Sequence, residues 1–149
     1  MPVPDKEKLL KWVDARKSCL LSSVDDEGFP NTKAMLAPRK REGLHTFYFS
    51  TNTSSMRVAQ YTKNPNACLY FFEKGRFSYV GLMLRGTMEV LHDPEWKEAI
   101  WQTGDTLYYK QGVTDPDYCV LRFTALPGST ARYYSNFSSL DLPVDEYAD

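Results

Sequence analysis

The sequence predicts a small antiparallel β-barrel with peripheral helices, folded as one domain of 149 residues. Three observations predict it. Short apolar runs of strand length are separated by tight turns, which favours antiparallel pairing. One longer run, from Phe77 to Leu91, carries interior glycines at Gly81 and Gly86, and such strands bend or bulge where a sheet curls. Aromatic residues make up 14% of the chain, with ten Tyr, eight Phe and three Trp. That share suits β-structure, or a surface that grips something flat.

The elements follow in chain order. Leu9, Leu10, Trp12, Val13 and Arg16 recur at helical spacing between Pro4 and Lys17, with Pro4 and Asp5 as the start. Cys19 to Val24, the turn Asp25-Asp26-Glu27-Gly28 and Pro30 to Ala37 read as a β-hairpin. Leu44 to Ser50 is a strand, Ser54 to Tyr61 a short helix ended by Asn64-Pro65, and Ala67 to Glu73 a further strand. After the long strand, Asp93-Pro94-Glu95 opens a helix with Trp96, Ala99 and Ile100 on one face. Tyr118 to Leu126 and Thr130 to Phe137 close the barrel around Pro127-Gly128. The total is six or seven strands and three short helices. Residues 137–149 are expected to form a loose acidic tail.

Composition excludes several function classes. The net charge is -1, and Lys and Arg are spread along the chain. No basic stripe is formed, so no nucleic-acid partner is expected. No apolar run is long enough for a membrane span, and Met1 to Glu7 lacks the basic-then-apolar order of a signal peptide. Cys19, Cys68 and Cys119 stand far apart in apolar runs, which suits buried free thiols in a reducing cytoplasm. His45 and His92 have no partner at ligand spacing, so no metal site is expected. Phe47-Tyr48-Phe49 and Tyr70-Phe71-Phe72 are apolar on both strand faces. Both faces therefore need cover, one from the core and one from a partner.

The stretch that carries chemistry is Phe47-Tyr48-Phe49-Ser50-Thr51-Asn52-Thr53-Ser54-Ser55-Met56-Arg57. An apolar strand runs into six small polar residues, and a helix starts with Arg57 near its first turn. Free N–H groups and the helix dipole at such a start favour an anion. Hydroxyls add donors, and an arginine fork suits phosphate. Lys33, on the neighbouring hairpin, can bring a second cation. Ser and Thr are also preferred N-caps, and an early-turn Arg can be solvated, so this stretch alone leaves both readings open. It has no Gly-Lys-Ser and is neither a Walker loop nor a dinucleotide fingerprint.

Over residues 5 to 137 the chain resembles the FMN-binding split-barrel family, the pyridoxamine-5'-phosphate-oxidase-like flavoproteins, and within it the small general-stress-protein group. The motifs that carry the resemblance are Lys33-Ala34-Met35-Leu36, Phe47 to Asn52, Ser55-Met56-Arg57, the Asn64-Pro65 break, Ala67 to Phe72 and Gly86-Thr87-Met88-Glu89-Val90. The resemblance implies a split barrel that binds FMN. Its phosphate would be held by Lys33, Ser50, Thr51, Ser55 and Arg57, with Met35 at the edge of the ring. It also implies a homodimer with flavin in interface clefts, and an oxidoreductase acting on a small molecule. Arg57 stands where Lys is commoner, and Lys33 where the oxidases carry Arg. Their C-terminal substrate segment, a Trp followed by Arg-Leu, has no counterpart in Arg132-Tyr133-Tyr134-Ser135-Asn136-Phe137. Alternatives are a flavin-binding module without turnover and a relative that binds haem or a deazaflavin.

Overall fold

The computed structural model describes residues 1–149, with nine strands in one antiparallel sheet. Helix α1 (Lys6–Asp14) starts at Asp5, whose carboxylate accepts from the Lys8 N–H, and buries Leu9, Leu10 and Val13. Strands β1 (Ser18–Val24) and β2 (Pro30–Leu36) form the expected hairpin. A short strand β3 (Lys40–Glu42) pairs with β4 (Thr46–Asn52). Helix α2 (Met56–Lys63) follows, then β5 (Asn66–Lys74), the long β6 (Tyr79–Leu91) and α3 (Pro94–Ile100). Two single-turn 3₁₀ segments precede β7 (Tyr118–Ala125). Strands β8 (Thr130–Ser135) and β9 (Ser138–Pro143) and a last 3₁₀ turn, Val144–Tyr147, end the chain.

The strand order is β2-β1-β5-β6-β7-β4-β3, and no ladder joins β2 to β4. The barrel is split along that line. Strand β6 organises the rest. It pairs with β5 along one edge, while its other edge is shared between β8, at Val80 to Met83, and β7, from Gly86 onward. Gly86 sits at the branch, where any Cβ would collide with the Thr124 carbonyl and the Phe123 ring. Inside the curl, Leu21, Phe47, Phe49, Leu69, Phe71, Leu82, Leu84, Leu121 and Phe123 form the core. Each alternates with an outward neighbour.

Three expectations are corrected. Residues 137–149 are not a loose tail. They form β9 and a 3₁₀ turn, and Leu142, Val144 and Tyr147 are buried in the main core. The acidic residues alternate with these apolar ones, so average composition hid a strand. Tyr48 is not covered by a partner. Its ring stacks on Trp96 of α3, with centroids 4.8 Å apart, in a second small core with Ile100, Tyr109, Tyr118 and Val120. The buried residues of α3 are Lys97 and Ile100, while Ala99 is exposed. Lys97 donates to the Asp115 carbonyl at 3.0 Å and lies over the Tyr118 ring. Of the cysteines, Cys19 and Cys119 are buried and Cys68 is half-buried, all three with free thiols.

Candidate functional site: the cleft of the split barrel

The unpaired edges of β2 and β4 face each other across a cleft of about 350 Å³. Strand β3 covers β4 only from Thr46 to Tyr48, so the stretch from Phe49 to Asn52 has no ladder on the cleft side. Lys33 and Met35 share the face of β2 that lies opposite Leu21 and Cys19 of β1, and both line the cleft. Met35 packs on the core, and Lys33 is exposed. Ser50, Thr51 and Asn52 form the opposite wall. An adjoining cavity of about 420 Å³ shares Lys33, Asn52 and Arg57 and reaches Ser55. The two form one groove, with both cations at its waist.

All six residues expected at the site, Lys33, Met35, Ser50, Thr51, Ser55 and Arg57, therefore border one groove. Their local roles differ. Ser55 is the N-cap of α2 and accepts from the Val58 N–H at 3.4 Å. Thr51 is buried, and its hydroxyl lies 3.5 Å from Arg57 Nη2, too long for a strong bond. Arg57 Nε is shielded from water and has no partner. None of the ion pairs in the molecule involves Arg57 or Lys33. A buried guanidinium donor without a partner costs free energy that an anion in the groove would recover. The loop before α2 is anchored separately. Asp117 accepts from the Thr53 N–H through its carbonyl and from the Ser54 N–H through its carboxylate, the latter at 2.9 Å. Thr53 and Ser54 thus hold the loop in place.

The far end of the cleft was not anticipated from the sequence. There, Arg39 donates to both carboxylate oxygens of Asp105 at 2.9 Å, and also to the Ile100 carbonyl. The guanidinium holds the Asp105 carboxyl below its ordinary range against the opposing effect of burial. Tyr108 and Tyr109 complete this wall. Tyr109 is buried, which pushes its phenol up to about 12. The segment between α3 and β7 lacks helical or strand periodicity, so only the aromatic pair itself could have drawn attention to it. Tyr133 and Tyr134 lie elsewhere. Tyr133 packs on the main core, and Tyr134 meets Tyr70 edge-on. Neither histidine lines the groove: His45 Nε2 is 2.9 Å from Asp145, and His92 is exposed at the end of β6. No group of three or more His, Cys, Asp or Glu converges to hold a metal.

Residues 5–129 match the family described as pyridoxamine 5'-phosphate oxidase. The chain belongs to that family. Among solved structures it is similar to a protein from Clostridium acetobutylicum related to general stress protein 26 and assigned to the pyridoxinephosphate oxidase family. Identity is 38%, coverage is 97% of this chain and 99% of that one, and the TM-score is 0.81. General stress protein 26 from Bacillus anthracis is 18% identical, covering 92% and 98% of the two chains with a TM-score of 0.66. A heme-binding protein from Mycobacterium smegmatis is 14% identical, covering 99% and 61% with a TM-score of 0.70, and shares the fold. No curated protein matches the chain. Family membership fits the split barrel, whose open line is the cleft. No helix is long and apolar enough to cross a membrane.

Proposed function

We propose that this member of the pyridoxamine 5'-phosphate oxidase family is an FMN-binding oxidoreductase acting on a small molecule. The observation that carries the reading is the buried, partnerless Nε of Arg57, with Lys33 across the same groove and no carboxylate paired to either. Two cations facing one groove suit a phosphate dianion. The hydroxyls of Ser50 and Thr51 border the same space, and Met35 offers an apolar edge for a ring. When bound, the flavin would supply the electron-transfer chemistry, while the chain binds and orients it. Nothing in the cleft forms a nucleophile–base pair. Asp105 is engaged by Arg39, and burial keeps the Tyr109 phenol protonated. The residues fit a role in positioning the cofactor and excluding water.

A homodimer is part of this reading. The outer face of β1, β5, β6 and β8 presents the half-buried Leu20, Tyr70, Met83 and Tyr134 beside the exposed Phe72. Leu36 on β2 extends it, 72% exposed. A second copy burying on the order of 2,000 Å² would cover it. Three free thiols suit the cytoplasm. Pyridoxamine phosphate is not the expected substrate, since Arg132-Tyr133-Tyr134-Ser135-Asn136-Phe137 lacks the Trp and Arg-Leu of the oxidases' C-terminal substrate segment.

The deciding experiment is the absorption spectrum of purified protein, followed by FMN titration. Flavin bands, or uptake of about one FMN per chain, support the reading. Colourless protein that takes up no FMN overturns it, and a Soret band would favour haem. Sedimentation of a flavin-loaded monomer at micromolar concentration would remove the dimer.

A further inference from the structure

The groove has two chemically different ends. At its waist, Lys33 and Arg57 present unpaired positive charge. At the far wall, Arg39 is neutralised by Asp105 through two 2.9 Å bonds, so that end carries no net charge. Beside this pair stands Tyr108, a large aromatic side chain that lines the cleft yet is 76% exposed. Tyr108 sits at the end of the turn Asp105–Leu107, whose geometry is fixed from below. The Tyr108 and Tyr109 N–H groups donate to the Asp105 carbonyl, and the Asp105 carboxylate also accepts from the Gln102 N–H. The neighbouring Tyr109 is buried among Trp101 and Tyr118. The chain thus uses a buried ion pair and an aromatic cluster to hold one exposed ring at the cleft wall.

We infer that Tyr108 is a stacking platform for the planar ring of the phosphorylated ligand, and that Arg39–Asp105 is the positioning pair that holds it there. The inference rests on the flavin reading and adds the residue that grips the ring rather than the phosphate. A neutral wall with an exposed aromatic side chain suits an uncharged heteroaromatic ring, which gains from offset stacking and area burial. Leu107, the neighbouring exposed side chain, does not line the cleft, so the assignment falls on Tyr108 alone.

The test is titration of wild type, Tyr108→Ala and Tyr108→Phe with FMN and with riboflavin, alongside sedimentation. Tyr108→Ala should weaken both flavins alike, by roughly 5- to 20-fold, the loss of one stacked ring and its buried area. Tyr108→Phe should retain both affinities, and ribose 5-phosphate, which has no aromatic ring to stack, should compete equally well in all three proteins. Asp105→Asn should weaken riboflavin on the wild-type background but add little to Tyr108→Ala, as two changes acting through one contact are non-additive. Wild-type affinity for both flavins in Tyr108→Ala overturns the inference while leaving the proposed function standing. So does a Tyr108→Ala protein that loses its dimer but keeps its flavin, because the ring would then be covered by a second copy. Wild type that binds no flavin removes the proposed function, and this inference with it.

Discussion

Arg57→Ala tests the site at its most informative atom. In the unliganded protein, Arg57 Nε is buried without a partner, so removing the side chain also removes an unmet donor. The substitution should therefore leave the melting temperature of the free protein unchanged or slightly raised. With FMN present, the guanidinium makes a charge-assisted contact with phosphate worth about 1.5–3 kcal/mol. Its loss corresponds to about 10- to 150-fold weaker binding at 1.4 kcal/mol per decade. At a ligand concentration of about 100 times the wild-type Kd, FMN stabilises the wild type by about 2.7 kcal/mol, which the substitution reduces to about half or less. Each kcal/mol shifts the melting temperature of a domain this size by about 2–4 °C, so differential scanning with and without FMN reads the change. Riboflavin, lacking the phosphate, should bind both proteins about equally. The FMN deficit should shrink at high salt as screening weakens the wild-type contact. Equal loss of both ligands with a lowered melting temperature would mean that Arg57 supports structure. No loss of either would mean that it is a solvated surface charge.

Further outcomes follow from the fold. Removing residues 137–149 should cost about 4 kcal/mol or more in chemical denaturation, because Leu142, Val144 and Tyr147 leave the core; an unchanged midpoint would restore the loose tail. Gly86→Ala should destabilise by about 1–3 kcal/mol, since the added Cβ meets the Thr124 carbonyl and the Phe123 ring, and thermal melts should show it. Because Arg39 holds the Asp105 carboxyl low, that pair's contribution is complete above about pH 4 and disappears as pH falls through the folded-state value, so Asp105→Asn should flatten the acid limb of stability against pH. Burial raises all three thiols, Cys19 to about 12, but Cys68 is only half-buried and Arg85 opposite it opposes the rise. A thiol reagent at pH 8 should label Cys68 first, and the other two only on unfolding, as peptide mapping would report.

Most of the barrel was legible because its signals are local. The Asp25 to Gly28 turn, the Asn64-Pro65 stop and the Asp93-Pro94 helix start each act within a few residues. The site was legible for the same reason on β4 and α2, where a strand edge, a polar run and an arginine lie within eight positions. What the sequence hid was tertiary. Tyr48 looks like a residue awaiting a partner until Trp96, distant along the chain, is seen stacked on it. Strand β9 was hidden because it pairs only with β8 and carries Asp141 beside Leu142. Arg39 and Asp105 form a buried fork across 66 positions, and neither residue has a neighbour in sequence that betrays it.

Open strand edges are ordinarily a liability, because unpaired N–H and C=O groups recruit other strands. Here two such edges face each other across the cleft. Pairing β2 with β4 would close the barrel and eliminate the cleft. The residues between them work against closure. Lys33 and Arg57 would then be brought together as unpaired like charges in a tighter, drier space, where repulsion and desolvation both grow. The same two cations that would fit an anion therefore oppose closure. This joins the fold to the proposed function: neutralising that pair with a phosphate should stabilise the split form. Replacing both Lys33 and Arg57 by Gln should relieve the repulsion without restoring affinity. The double variant should melt no lower than wild type when unliganded and should gain little from FMN. A double variant that melts lower than either single change would show instead that the cations support the cleft through contacts of their own.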